Sequence, residues 1–259
     1  MELSTILLKK EGAIATITIN RAPMNPLNEQ FYRDLITVAD DLLVDDAIKA
    51  VILTGAGDKA FAAGSDVAEM VEKTAYGIYQ FCTVAMEALS KIENLHKPVI
   101  AVIKGFCLGG GLELAMACDF RFASDKASLG LPELGLGIMP GTGGSQRMSR
   151  LIGVSKAKEL IYMGDVVDAA KAEKLGLVNK VFAPDALDEE AAKFAKKLSS
   201  KATVAMKMVK ECINTGSNMD IASALKLEIQ YVATVFASED GREGMKAFME
   251  KRKPAFTGK

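Results

Sequence analysis

Two acidic residues stand where acidic residues are costly. Glu113 ends the run Gly105-Phe106-Cys107-Leu108-Gly109-Gly110-Gly111-Leu112-Glu113, and the helix it opens continues through Leu114, Ala115, Met116 and Ala117, apolar on every side. A helix of that kind is expected to be buried. A carboxylate in its first turn then needs a partner or a task, unless it only offsets the helix dipole from a partly exposed face. Glu133 is the one charge in the Gly-punctuated apolar loop from Leu129 to Ile138. The three glycines before Leu112 let another group approach the backbone closely. They also leave unpaired N–H groups at a helix start, where free donors and dipole together favour negative charge. Two carboxyl groups sharing a proton beside fixed amide donors suit general acid–base work next to a developing oxyanion. Taken singly, each piece has a plainer reading: a tight strand-to-helix turn for the glycines, a capping or solvated residue for each glutamate.

Other chemistries lose support. The single histidine, His96, lies in NLHKPVIAV without a motif partner, which removes most of the ground for Ser-His-Asp catalysis, multi-His metal sites and His relays. It reads as a helix-end residue near a turn. Cys82, Cys107, Cys118 and Cys212 show no metal-ligand spacing and read as reduced thiols of a cytoplasmic protein. The run Thr54–Ala60 fits a loose G-x-G-x-x-A pattern, and no Lys-Ser/Thr pair follows the later glycines. A dinucleotide site would need a helix there and a strand ending in an acid about 20 residues on; neither is expected, and a P-loop is excluded. Lys plus Arg number 32 against 33 Asp plus Glu, a net charge of −1 that offers no broad attraction for nucleic acid or anionic membrane. The start, MELSTILLKKEG, carries its lysines after a short apolar run, the reverse of a secretory signal. No apolar stretch of about 18 residues occurs, so no membrane span is expected.

The elements that must position these residues alternate in type. Short strands are predicted at Ile14–Ile19, Ala50–Thr54, Pro98–Ile103 and Asp119–Ala123. Asn28 is the expected N-cap of a helix reaching Val44, and a second amphipathic stretch covers Ala68–Ile92. From about Ser155 helix dominates: Lys156–Met163, Asp168–Leu175, Ala186–Leu198, Ala202–Ile213, Ile221–Phe236 and Arg242–Glu250, with one brief strand signal at Leu177–Phe182. No linker-like composition interrupts the 259 residues, so an α/β chain forming a single domain is expected.

Three segments in order carry a family resemblance: Lys59-Ala60-Phe61-Ala62-Ala63-Gly64-Ser65-Asp66, Gly109-Gly110-Gly111-Leu112-Glu113-Leu114-Ala115, and Pro132-Glu133 followed by Pro140-Gly141-Thr142-Gly143-Gly144-Ser145-Gln146-Arg147. With them the chain resembles the crotonase superfamily, from Ile17-Thr18-Ile19-Asn20-Arg21 to Glu250-Lys251-Arg252-Lys253-Pro254-Ala255-Phe256. The resemblance implies a crotonase (ClpP-like) spiral of ββα turns over about 1–195 and a helical C-terminal trimerisation region over about 196–259. Assembly as a homotrimer, or as a hexamer of paired trimers, is implied with it. It implies the N–H groups of Ser65 and Gly110 as an oxyanion hole for a thioester carbonyl, and Glu113 and Glu133 as the acid–base pair. For coenzyme A and substrate contact it points to Met24, Ala60, Ala62, Ala63, Gly64, Asp66, Val67, Ala68, Gly109, Pro132, Gly141 and Lys253. The tail Lys251-Arg252-Lys253 would approach CoA phosphates from a neighbouring subunit. No metal and no cofactor are implied, coenzyme A being part of the substrate.

The expected activity is hydration of a 2-enoyl-CoA to a 3-hydroxyacyl-CoA, or the reverse dehydration. Hydration builds negative charge on the carbonyl oxygen, and two fixed amide donors there are each worth ~10²–10³ in rate. Water loses a proton at the β-carbon while the α-carbon gains one; by the family pattern Glu113 does the first and Glu133 the second. A double-bond isomerase on the same scaffold needs only one acid, so retention of both favours the hydratase. An RNA-binding relative would need a basic stripe or stacking aromatics, and the sequence has no Trp and 6% aromatic residues. Two positions depart from the common pattern. Ser65 stands where Ala is frequent, keeping its N–H and adding a hydroxyl near the thioester, and Val67-Ala68 replaces a frequent Ile-Lys. The 13 methionines read as core filling, with an adaptable acyl pocket as the alternative.

Overall fold

The computed structural model describes residues 2–259. An antiparallel hairpin, β1 (Ile6–Glu11) and β2 (Ile14–Ile19), leads into α1 (Glu29–Val44). Strands then come in pairs: β3 (Ala50–Gly55) with β4 (Ala60–Ala63), β5 (Val99–Ile103) with β6 (Phe106–Leu108), and β7 (Phe120–Ser124) with β8 (Ser128–Gly130). Helices α2 (Val67–Met70) and α3 (Ala75–Glu93) follow the first pair, α4 (Gly110–Ala117) the second, and α5 (Gly144–Ile152) and α6 (Val154–Met163) the third. The chain continues through β9 (Val166–Asp168), α7 (Ala169–Leu175), β10 (Lys180–Phe182) and α8 (Pro184–Ser199). It ends on α9 (Thr203–Gly216), α10 (Ile221–Ala237) and α11 (Glu239–Met249). The first strand of each pair joins a six-stranded sheet of order β1-β2-β3-β5-β7-β10; the second joins a four-stranded sheet of order β4-β6-β8-β9. Each ββα unit thus advances one strand in both sheets, and this is the crotonase spiral.

The four runs read as strands are internal to the six-stranded sheet, and β5 is covered on both faces. Along β5, Val99, Ala101 and Ile103 enter the main core, while Ile100 and Val102 meet a smaller core with Ala50, Phe122, Leu187, Ala191 and Ala195. Those last three residues lie on α8, which shields the far face of the six-stranded sheet. A strand buried on both sides reads as a continuous apolar run rather than an alternating one. Asn28 does cap α1, its side chain accepting the Phe31 N–H at 2.9 Å.

Five strands escaped the sequence reading: β1, β4, β6, β8 and β9. The last four are three or four residues long, too short to show a period of two, and β4 lies in a segment expected to be irregular. Helix α5, which opens on two glycines, was not anticipated either. The stretch expected as one helix over Ala68–Ile92 is two. The chain turns after Met70, and α3 restarts at Thr74, whose hydroxyl accepts the Gly77 N–H at 3.2 Å. The C-terminal helices lie where periodicity placed them, but neither α9 nor α10 has a buried residue in the single chain. Among the described residues no helix is long and apolar enough to cross a membrane, and all four cysteines are free thiols.

Candidate active site

The four-stranded sheet assembles the site. In β4 and β6, Ala63 lies opposite Leu108, and in β6 and β8, Leu108 lies opposite Gly130; both pairings are parallel. Their carboxyl ends therefore finish side by side, the usual place for a ligand in parallel sheets. The chain leaving each strand contributes one part: Gly64-Ser65 after β4, Gly109-Gly110 and α4 after β6, and Leu131-Pro132-Glu133 after β8. Gly64 and Gly109 make the exits with φ of +96° and +50°, angles that residues with a Cβ rarely adopt. A Cβ on Gly109 would also stand 3.2 Å from Glu133 Oε1, so glycine keeps that carboxyl in place. Leu27 bridges to Ser65: its N–H donates to the Gly64 carbonyl and its carbonyl accepts the Asp66 N–H, both at 2.9 Å. The Ser65 N–H between them is given no backbone acceptor, and the Gly110 N–H, first in α4, has none within its helix.

Glu113 is 2% exposed, and every residue of α4 is buried with it. Three donors hold its carboxylate, and Oε2 keeps room to accept one more. Oε1 accepts the Thr142 N–H at 2.8 Å and the Gly144 N–H at 2.7 Å, and Oε2 accepts the Thr142 hydroxyl. Gly144 is the first residue of α5, so the charge of Glu113 also faces the positive end of a second helix. Glu133 opens the 3-10 turn Glu133–Leu136, and its Oε2 is buried with no hydrogen-bond partner among the described residues. Burial pushes its carboxyl up to about 7; its own backbone N–H pulls it down, and the Glu113 charge pushes it further up. Both acids line one cavity of about 470 Å³, together with Ser65 and Gly110. Its far walls are apolar, built from Met70, Ile78, Phe81, Cys82, Leu136 and Met139.

Of the residues expected to touch CoA or substrate, Ala63, Gly64, Val67, Gly109, Pro132 and Gly141 line this cavity. Met24, Ala60, Ala62, Asp66, Ala68 and Lys253 do not. Ala60 and Ala62 depart from the expectation: both are 0% exposed, and the Ala60 carbonyl accepts the Asn25 side-chain amide at 2.8 Å. Met24 uses its carbonyl to accept the Ala63 N–H at 2.9 Å. Asp66 pairs with Arg21 at 3.0 Å, and Ala68 is exposed on α2. Lys253 is exposed in the C-terminal tail, where its neighbour Arg252 is bound to Glu243 and Glu250. Sequence reasoning gave no role to Thr142 and Gly144, the residues that hold Glu113. Their signal was there in Pro140–Ser145, a glycine-rich segment opening a helix, but nothing local pairs it with an acid 29 residues earlier.

The spiral and its paired carboxyls define a crotonase-type protein, and the chain belongs to the enoyl-CoA hydratase/isomerase family, whose model matches residues 9–259. It is 45% identical to a short-chain-enoyl-CoA hydratase of Clostridium acetobutylicum, over 98% of this chain and 97% of that one. It is 43% identical to a crotonyl-CoA hydratase of Syntrophomonas wolfei, over the whole of both chains. A crystal structure of an enoyl-CoA hydratase from Bacillus anthracis superimposes with a TM-score of 0.95 at 38% identity, covering 99% of this chain and 100% of that one.

Proposed function

We propose that this protein is an enoyl-CoA hydratase that adds water across the 2,3-double bond of a 2-enoyl-CoA. The observation that carries the reading is the unequal setting of two glutamates in one cavity. Glu113, held by three donors, is the acceptor: it binds the attacking water and takes its proton as oxygen bonds to the β-carbon. Glu133, whose carboxyl burial pushes up to about 7, still carries a proton in a large share of molecules near neutral pH and delivers it to the α-carbon. The thioester oxygen rests on the Ser65 and Gly110 N–H groups, which stabilise the enolate-like charge without reorganising. The apolar walls receive the acyl chain and exclude bulk water. An isomerase would leave one of the two acids idle, and both face the cavity here. The names of the relatives point the same way.

The reading extends to assembly. Val209, Ile213, Leu225, Ile229, Val232 and Phe236 are more than half exposed on α9 and α10, an apolar surface that a homotrimer, alone or paired into a hexamer, would cover. The chain acts as one domain, with CoA as part of the substrate and no further cofactor, and reduced thiols accord with a cytoplasmic setting. Mixing the protein with crotonyl-CoA tests the activity: the enoyl-thioester absorbance should fall and 3-hydroxybutyryl-CoA should form. Conversion of a 3-enoyl-CoA with no hydration of crotonyl-CoA would establish the isomerase instead.

A further inference from the structure

Behind the oxyanion segment lies a phenol that the proposed mechanism does not use. Tyr32, on the first turns of α1, is 0% exposed, and its hydroxyl forms no hydrogen bond with any described residue. A buried hydroxyl without a partner costs folding free energy, and phenylalanine would fill the same space without that cost. Its ring is fixed edge-on between Phe31 and Phe81, with centroids at 5.4 and 5.6 Å. The Leu27–Ser65 bridge ties the residue preceding the α1 cap directly to the oxyanion strand. Two hydroxyls consequently converge on one point. A Cβ added to Gly110 would lie 2.9 Å from Ser65 Oγ and 3.3 Å from Tyr32 Oη, so a glycine there leaves room beside both hydroxyls. Ser65 lines the cavity and Tyr32 does not. Burial, and then the Glu113 charge, raise the phenol, while the Ser65 hydroxyl works against both; the phenol stays neutral and able to donate.

We propose that Tyr32 is a positioning residue: its hydroxyl, unpaired in the free protein, donates to Ser65 Oγ once substrate is bound, as the thioester oxygen draws the Ser65 hydrogen into the cavity as a third donor. The inference rests on the hydratase reading above. Each hydroxyl has one hydrogen, so with Tyr32 giving to Ser65, Ser65 can give only forward. Hydrogen bonds in such a chain strengthen one another. Charge grows on the thioester oxygen as water adds, so the benefit falls on the transition state more than on bound substrate.

The test is a double-mutant cycle on the intact protein with crotonyl-CoA. Tyr32→Phe and Ser65→Ala should each lower kcat about tenfold with KM little changed, since both backbone donors survive. Tyr32→Phe should melt no lower than wild type. In the Ser65→Ala background, Tyr32→Phe should cost nothing further, because the group it acts through is gone. Wild-type kcat in either single variant, or an equal loss from Tyr32→Phe in both backgrounds, overturns the proposal. Should Tyr32→Phe not fold, Ser65→Ala alone decides whether a third donor exists. Wild-type inactivity towards crotonyl-CoA would instead overturn the hydratase reading, so the two failures are distinguishable.

Discussion

The α4–α5 junction and the 3-10 turn at Glu133–Leu136 each present a glutamate to the same cavity, and they treat it in opposite ways. At the junction, two backbone N–H groups and a hydroxyl hold Glu113. At the turn, one oxygen of Glu133 is buried with nothing to bond, and its carboxyl is pushed up to about 7. Burial without a hydrogen-bond partner favours the neutral form of a carboxyl. Two identical side chains thereby stand in unlike settings, with no difference in their covalent chemistry.

Removing the member held by donors should do the most damage. Glu113→Gln can keep its oxygen on the Thr142 and Gly144 N–H groups and turn its amide to the Thr142 hydroxyl, so it should fold while kcat falls about 10³–10⁴-fold in crotonyl-CoA hydration. Glu133→Gln should follow with a loss of about 10²–10³. A wild-type rate in either variant would refute the division of roles. Glu133 must carry a proton to donate it, so wild-type kcat/KM for hydration should fall tenfold per pH unit above about 7. That limb should disappear from the residual activity of Glu133→Gln; its persistence would assign it to another group.

Smaller effects separate the two settings more finely. Thr142→Val keeps the shape but deletes one donor to Glu113, and should lower kcat about tenfold. Gly144→Ala places a Cβ 2.9 Å from Glu113 Oε1 and 2.8 Å from Pro140 Cβ, and should cost at least as much by displacing the carboxylate. The smallest effect concerns stability. A carboxyl whose folded value is raised favours folding fully below its ordinary 4.5 and loses that advantage as pH climbs through about 7. Thermal melts should therefore show Glu133→Gln gaining on wild type between pH 4.5 and pH 8, by ~1 kcal/mol after discounting for its partial exposure. A gap that shrinks over that range would mean Glu133 is not held protonated by its surroundings.

Much of the frame was legible in order along the chain. The runs at Ile14–Ile19, Ala50–Thr54 and Pro98–Ile103 became internal strands of the six-stranded sheet, and Val99–Ile103 is apolar throughout because it is covered on both faces. Asn28 marked the start of α1, and the apolar surroundings of Glu113 announced its burial. The four-stranded sheet was invisible because its members are no longer than two pleat periods and are recruited by pairing with distant residues. Ala60 and Ala62, placed at a ligand surface by the family resemblance, are interior.

The sequence alone determined which groups could do chemistry: two acids in apolar settings, and glycines that free a helix start. Tertiary structure decided the setting of each acid. Thr142 and Gly144 reach Glu113 from 29 and 31 residues away, while no such partner reaches Glu133 Oε2. Proton affinity depends on donors, charges and solvent within a few ångströms, and only the folded chain sets which residues those are.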